Sequence, residues 1–428
     1  MPKNIRIEEI DVTDIARIST TDAERLKKYR LVEGDIIYSR RGDVEKCALV
    51  TKNEAGWMCG TGCLRIRIQK NSAITPEFLH ACLSTPVTRE WISRHAIGAT
   101  MPNLNTSILR EIPLIIPPFE PMNFIGKLWM DLNKKLLLNR KINQTLEQMS
   151  QTLFKSWFMD FDPVIDNALD AGNPIPEALQ PRAELRQKVR NSADFKPLPT
   201  EIRSLFPSEF EETELGWVPK GWKIDNIGGL SDKIFSGGTP NTSTEEYWNG
   251  ALNWFSSGET RNALIIETEK KITATGVKNS STRLSVAGDI LIASAGQGHT
   301  RGQTSLNTID TYINQSVVCI RPIKPSYSTW LYFNLSSRYT EMRAISDSHS
   351  IRGSLTTKLI SSMKVASPTD ELISLFDINC SVFISKIKNN LELSRELKKL
   401  RDTLLPKLIS GELSLEDLPD LTTDTEAA

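Results

Sequence analysis

The chain has 428 residues, with 52 Lys plus Arg against 52 Asp plus Glu, 39% hydrophobic and 7% aromatic residues. This is the composition of a globular protein long enough for two or three cores. The start, MPKNIRIEEID, is charged, and no run approaches eighteen apolar residues. These features exclude a secretory signal and a membrane span and point to the cytoplasm.

Neutrality hides a segregation of charge. Residues 160–214 hold twelve acids against six bases, and residues 412–428 hold six acids and no base, which leaves 34 acids against 46 bases elsewhere. A remainder at +12 is permissive for a polyanionic partner. Six cysteines (Cys47, Cys59, Cys63, Cys82, Cys319 and Cys380) in so long a chain read as reduced core thiols. Cys59 and Cys63, spaced C-x3-C, have no second tight pair with which to complete a zinc site. His80 lies on an apolar helical face and reads as a core residue.

Taken in chain order, 62-GCLRIRIQ-69 is strand-like, 78-FLHACLS-84 is helical, and 104-LNTSILREIPLIIPP-118 precedes a long helical pattern. That pattern places Leu128, Leu132, Lys135, Asn139, Ile142, Leu146, Met149 and Leu153 at alternating steps of four and three, a coiled-coil seam. A proline- and acid-rich stretch follows, read as an extended connector with one short helix near 181–190. The runs 288-GDILIAS-294 and 316-SVVCIRPI-323 are strand-like, and 328–345 has helical spacing.

The second half repeats the first. Gly34-Asp35-Ile36-Ile37 matches Gly288-Asp289-Ile290-Leu291, and 65-RIR-67 matches 319-CIR-321, both at an offset of 254. The stretches 104–118 and 151-QTLF-154 match 355–369 and 402-DTLL-405 at 251. The same offset yields a second seam of Phe383, Lys386, Asn390, Leu393, Leu397, Leu400 and Leu404, with Lys386 and Asn390 repeating Lys135 and Asn139. Polar residues at matched depth in two seams suggest that the helices pair with each other. Gly411 is a natural helix stop, while Pro406 interrupts the last turns.

The stretches 156-SWFMDFDPV-164, 205-LFPSEFEETELGWVPKGWK-223, 237-GGTPNTSTEEYWNGALNWF-255 and 404-LLPKLISGEL-413, in this order, resemble the specificity subunits of type I restriction–modification enzymes. The resemblance implies an α+β chain with two mixed α/β target-recognition domains, each followed by a long helix, the two helices forming an antiparallel coiled coil. The first recognition domain would occupy 1–119 and the first spacer helix 120–160. An acidic Pro-rich linker at 161–213 leads to the second recognition domain at 214–369, its spacer helix at 370–411 and an acidic tail at 412–428. The offset sets the counterpart of 215–254 before residue 1, so the first domain is expected to be incomplete at its start. Each domain would read one half of a split double-stranded DNA site. Two methylation subunits would dock beside the helices, and restriction subunits would join through the complex. The alternative is a truncated subunit that only assembles.

No P-loop, no Asn/Asp-Pro-Pro-aromatic loop and no spaced nucleophile–base pair occurs, so neither enzymatic activity nor a cofactor is expected of the chain itself. The carboxylates of 160-DFDP-163 read as a solvated helix cap. Base readout needs Arg, Lys, Asn, Gln, Ser or Thr on loops or helices that reach a major groove. Thr239, Asn241, Ser256, Arg261, Gln297, His299, Thr300, Arg301 and Gln303 supply these in the second half, and Arg40, Arg41 and Asn103 in the first. The loop 296-GQGHTRG-302 reads as a turn near DNA, its amides and Arg301 suited to phosphate.

Overall fold

All four residues of β1 (Ile36–Ser39) are buried, because both faces of the strand are covered. Period-two alternation sends Ile36 and Tyr38 to one face and Ile37 to the other. In this computed structural model, which describes residues 1–7, 9–69, 71–98, 102–296, 298–349 and 354–417, the chain forms two units. One is Met1–Ile142 with the chain from Glu392, and the other is Asn143–Leu391.

In the first unit β1 lies between β2 (Cys47–Leu49) and β3 (Cys63–Ile66), antiparallel to both, with Ile36 opposite Leu49 and Ile66. Helices α1 (Pro76–Ser84) and α2 (Pro86–His95) cover one face through Leu79, Leu83 and Ile92. Ile5, Ile10 and Leu31 cover the other. After α3 (Thr106–Arg110), the chain enters α4 (Phe119–Phe158). Gly126 on α4 is where the two elements press together, since a Cβ there would lie 2.9 Å from the Phe78 amide of α1. His80 is buried, and its Nδ1 accepts from Trp129 Nε1 at 2.9 Å.

The connector folds rather than extends. Helices α5 (Asp162–Ala171) and α6 (Gln180–Arg190) carry acids and arginines at matching four-residue steps. Arg182 grips Asp162 with two bonds of 2.7 Å, Arg186 bonds Asp166, and Arg190 bonds Asp170. Asp162, expected as a solvated cap, is buried and also accepts from the Ser156 hydroxyl. Part of the acidity that suggested an open linker, that of Asp162, Asp166 and Asp170, is paired within it.

The second unit builds a larger version of the same plan. β4 (Lys223–Asn226) leads to a five-stranded sheet ordered β5 (Ser231–Ser236), β13 (Val317–Pro322), β10 (Ile290–Ala293), β11 (Thr304–Asn307) and β7 (Leu264–Ile265). A four-stranded sheet is ordered β8 (Lys270–Ile272), β6 (Trp248–Phe255), β12 (Thr311–Ile313) and β9 (Arg283–Ser285). Helices α7 (Ser328–Ser337), α8 (Tyr339–His349) and α9 (Thr357–Ser361) follow, then β14 (Lys364–Ser367), which pairs with β4, and α10 (Asp370–Ser410).

The repeated Gly-Asp and Arg now have a physical reason. Gly34 and Gly288 sit at φ of 86° and 93°, where a side chain is strained. The carboxylate that follows each accepts the backbone amide three residues earlier, Val32 or Val286, at 2.9 Å in both cases. Each is gripped at both oxygens by the arginine of the neighbouring strand: Arg67 on Asp35 at 2.6 Å, Arg321 on Asp289 at 3.0 and 2.8 Å. A buried carboxylate needs such a partner.

The long helices pair antiparallel in each unit. In the first, Asn133 Oδ1 accepts from Arg401 at 3.0 Å and Asn139 Nδ2 donates to Ser394 at 3.1 Å. In the second, Asn390 Nδ2 donates to Asn143 Oδ1 at 2.8 Å. Adding 251 turns Asn139 into Asn390 and Asn143 into Ser394, so the repeat supplies both halves of each contact. The seam itself corrects the expected one. Leu132, Asn139 and Asn390 are buried and Phe383 is half-buried, but the alternate positions lie one residue later: Leu136, Asn143, Ser150, Ile387 and Arg401 are buried, whereas Lys135, Met149, Lys386, Leu393 and Leu400 are exposed. The two lysines face water, where their ammonium groups stay hydrated. α10 continues through Pro406 and stops at Gly411, whose φ is 75°. The proline ring removes only the hydrogen bond to the carbonyl of exposed Asp402, and Leu405 and Leu408 remain buried with Trp129 and Met122.

Asn390→Leu is expected to cost about 1–3 kcal/mol, because it leaves the Asn143 carbonyl unpaired, while Lys386→Leu stays within about 0.5 kcal/mol. Adding Asn143→Leu to Asn390→Leu should recover part of the loss, a coupling of about 0.5–3 kcal/mol. Urea denaturation followed at the tryptophans measures all three.

Candidate nucleic-acid interface

Five expected DNA-facing residues fall in the connection between β10 and β11. Gly296, Gly298 and Gly302 take φ of 138°, 67° and 87° there, a path that side chains oppose. One face of α8 holds the loop through residues four apart. Tyr339 Oη donates to the His299 carbonyl at 2.8 Å, Arg343 Nη1 donates to the Gly298 carbonyl at 2.6 Å, and Asp347 forms an ion pair with Arg301. The imidazole of His299 is left exposed on a fixed backbone, and Thr300 is half-buried. Arg301 is buried, so its guanidinium braces the loop from inside. Gln303 is half-buried and accepts from the Thr260 hydroxyl at 3.3 Å. Gln297 lies outside the described residues.

The neighbouring turn is built by Ser256 and Glu259. The Ser256 amide donates to the Glu259 carboxylate at 2.8 Å, and the two residues form a capping box. Burial pushes the Glu259 carboxyl above its usual range. Ser256 is therefore occupied in the turn. Arg261 extends into solvent, paired with Glu269 and donating to the Gly258 carbonyl at 2.7 Å. Thr239 donates to Gln315, and Asn241 is exposed, its side-chain oxygen accepting from the Ser243 amide at 3.0 Å. Gly237 and Gly238 let this segment lie on the sheet, for a Cβ on Gly237 would lie 1.9 Å from the Ile313 carbonyl oxygen.

One basic group escaped the sequence reading. Exposed Lys270 and Lys271 on β8 line a groove of about 580 Å³ with Thr242, Trp248 and Asn249, and Lys270 Nζ stands 5.6 Å from the Trp248 ring. The Lys-Lys pair was visible, but its placement beside Trp248 depends on the pairing of β8 with β6.

The first unit brings its three candidates together. The Leu104 amide donates to the Arg40 carbonyl at 2.9 Å, the Gly42 amide donates to the Pro102 carbonyl at 3.2 Å, and Arg41 bridges Asn103. Arg41 is exposed. Arg40 Nε and Asn103 Oδ1 are buried polar atoms without hydrogen-bond partners among the described residues. In the second unit the Leu355 amide donates to the Ser294 carbonyl at 2.9 Å, so the glycine loop grows from the position that Arg40 holds in the first.

The family described as "Type I restriction modification DNA specificity domain" matches residues 5–148 and 219–399, well over half the chain. The chain belongs to this family. It is 27% identical over 409 residues to the type I restriction enzyme HindI specificity subunit of Haemophilus influenzae, covering 90% of this chain and 88% of that protein. It is 21% identical over 350 residues to the MjaIX specificity subunit of Methanocaldococcus jannaschii, covering 81% and 71%. Its fold is that of the type I restriction–modification S subunit from M. genitalium, with a TM-score of 0.55 at 15% identity, covering 90% of this chain and 84% of that one. A specificity subunit recognises DNA and is not the catalytic member of its system. No helix among the described residues is long and apolar enough to cross a membrane.

In this specificity subunit the glycines of the candidate interface should be unequal. Gly237→Ala forces a methyl group into a backbone carbonyl and should cost at least about 1–3 kcal/mol. Gly258→Ala meets nothing closer than 3.9 Å and should be near neutral. Thermal denaturation of the two variants separates them.

Proposed function

We propose that the two α/β blocks each read one half of a split double-stranded DNA site, and that α4 and α10 set the unread spacer between the halves. The observation that carries this reading is the repeated block-then-helix plan, with each long helix supplying polar partners to the other in register. His299 and Thr300 on the braced loop, with Thr239, Asn241, Arg261 and Gln303, are the contact candidates in the second block, where Gln297 belongs to the same loop. Arg40, Arg41 and Asn103 are those in the first. Arg301 and Ser256 act by holding loops in place. The proposed contacts divide into base readout by amide, imidazole and hydroxyl groups and phosphate contact by Arg and Lys.

Methylation subunits are the proposed partners along the helices, with restriction subunits joining through the complex. The support is an outward apolar series that the seam does not use: Leu138, Leu393 and Leu400 in the first unit, Met149, Ile378 and Val382 in the second, each at least two-fifths exposed. Apolar side chains in such a series on a helix mark an interaction face.

Lengthening both helices by one heptad tests the spacer. Seven residues advance a helix by roughly 10.5 Å, close to three base pairs at about 3.4 Å each. Because the helices are antiparallel, insertions face each other only midway between the Asn139–Ser394 and Asn143–Asn390 pairs, after Lys141 and after Leu391. With methylation subunits present, methylation mapping on a random-spacer library should return unchanged half-sites and a spacer longer by two or three base pairs. An unchanged spacer at full activity would remove the helices from this role.

A further inference from the structure

β8 is an edge strand of the four-stranded sheet, and its pairing with β6 is broken at one step. Lys271 lies opposite Asn253 and Ile272 opposite Trp248, so β6 advances from residue 253 to residue 248 while β8 advances by one. The excess, residues 249–252, has no partner residue on β8, and Asn249 takes a left-handed φ of 59°. Gly250 lets this bulge turn back onto β8, for a Cβ there would lie 2.5 Å from the Ile272 carbonyl oxygen. Regular alternation would send Lys270 and Lys271 to opposite faces. Bulges re-aim side chains, and here both lysines line the groove beside the bulge.

Neither lysine forms an ion pair among the described residues; Lys270 rests instead against the Trp248 ring. Exposed Thr242 and Asn249 add a hydroxyl and an amide to the walls. The Glu269 carboxylate on the same wall is already paired with Arg261, and the Glu269 amide donates to Glu259 at 2.8 Å. On the other side Trp248 Nε1 donates to the Asn241 carbonyl at 3.1 Å. The groove therefore joins two segments that carry contact candidates, the one at Asn241 and the turn at Arg261.

We propose that this groove holds the sugar–phosphate backbone of duplex DNA at the half-site of the second block, with Lys270 and Lys271 each contacting one phosphate. The assignment rests on the reading that this block binds DNA. Ammonium groups suit phosphate as mobile point charges, and the Thr242 hydroxyl and Asn249 amide are further donors for phosphate oxygens. Such contacts fix the position of the duplex and carry no sequence information.

The test titrates the full chain, with methylation subunits present, against two duplexes over a range of salt. One duplex carries the site found by methylation mapping, and the other has both half-sites scrambled. With Lys270→Gln and Lys271→Gln together, the slope of log affinity against log salt should become shallower by about 1.8 on both duplexes, roughly 0.9 per phosphate contact, with binding about tenfold or more weaker at low salt. Arginine at both positions should restore the slope. Lys220→Gln removes the same charge from a lysine already paired with Glu209, and should leave the slope as it is. The mapped half-sites should not change. A slope unmoved by the double substitution would leave the lysines as guards of an edge strand and overturn the assignment. A changed half-site would make them base readers and overturn it equally. The underlying reading is tested apart, by His299→Ala with Thr300→Ala. If that pair shifts the mapped half-site while the lysine slope stays put, the groove assignment alone falls; if neither pair changes anything, both fall.

Discussion

A few hydrogen bonds inside the paired helices set the conditions for the rest of the molecule. Asn139 with Ser394 in the first unit, and Asn143 with Asn390 in the second, place amides in a seam that also buries Leu132, Leu136 and Ile387. Each amide satisfies the other's need only in one register. A slip by a turn would bury each of them without a partner, at about 1–3 kcal/mol apiece. Polar seam residues are best understood as register devices of this kind. Each unit then packs its α/β block on its own share of the helices. In the first, Phe78 of α1 joins Met122, Trp129, Leu405 and Leu408. In the second, Phe154 of α4 stacks on Phe333 of α7, and Phe154 and Phe158 meet Phe376 of α10 edge-on.

The second recurrent constraint is the Gly-Asp turn with its arginine. It fixes where β1 and β10 begin, and therefore where the loops after those strands emerge. The first block grows Arg40 and Arg41 at that point; the second grows a glycine loop tied down by Tyr339, Arg343 and Asp347. The same scaffold thus presents different side chains from equivalent positions. Variation in recognition with constancy of fold requires that separation.

The repeat, the two long helices and their polar interruptions were legible because they are periodic or duplicated. The seam was read one residue off at alternate positions for a physical reason. Met149, Leu393 and Leu400 are apolar yet face outward, while the positions beside them are buried Ser150, half-buried Ser394 and buried Arg401. Hydrophobicity therefore pointed at the wrong stripe. The connector misled in the opposite sense, since pairing of Asp162, Asp166 and Asp170 with arginines twenty residues later is invisible to composition. At the interface, residue type marked the loop of His299 and Thr300 but could not separate a brace from a reader. Arg301 differs from Arg261 only in what lies behind it. The Trp248–Lys270 groove needed strand pairing to exist at all.

The central claim is that α4 and α10 of one chain lie antiparallel in a single fixed register. Disulfide trapping measures this directly. Paired substitutions Asn139→Cys with Ser394→Cys, and Asn143→Cys with Asn390→Cys, should each close rapidly on mild oxidation into an intrachain crosslink, seen as a monomer of altered mobility that reverts on reduction. Crosslinks formed only between chains, or a failure of both pairs to close, would contradict it.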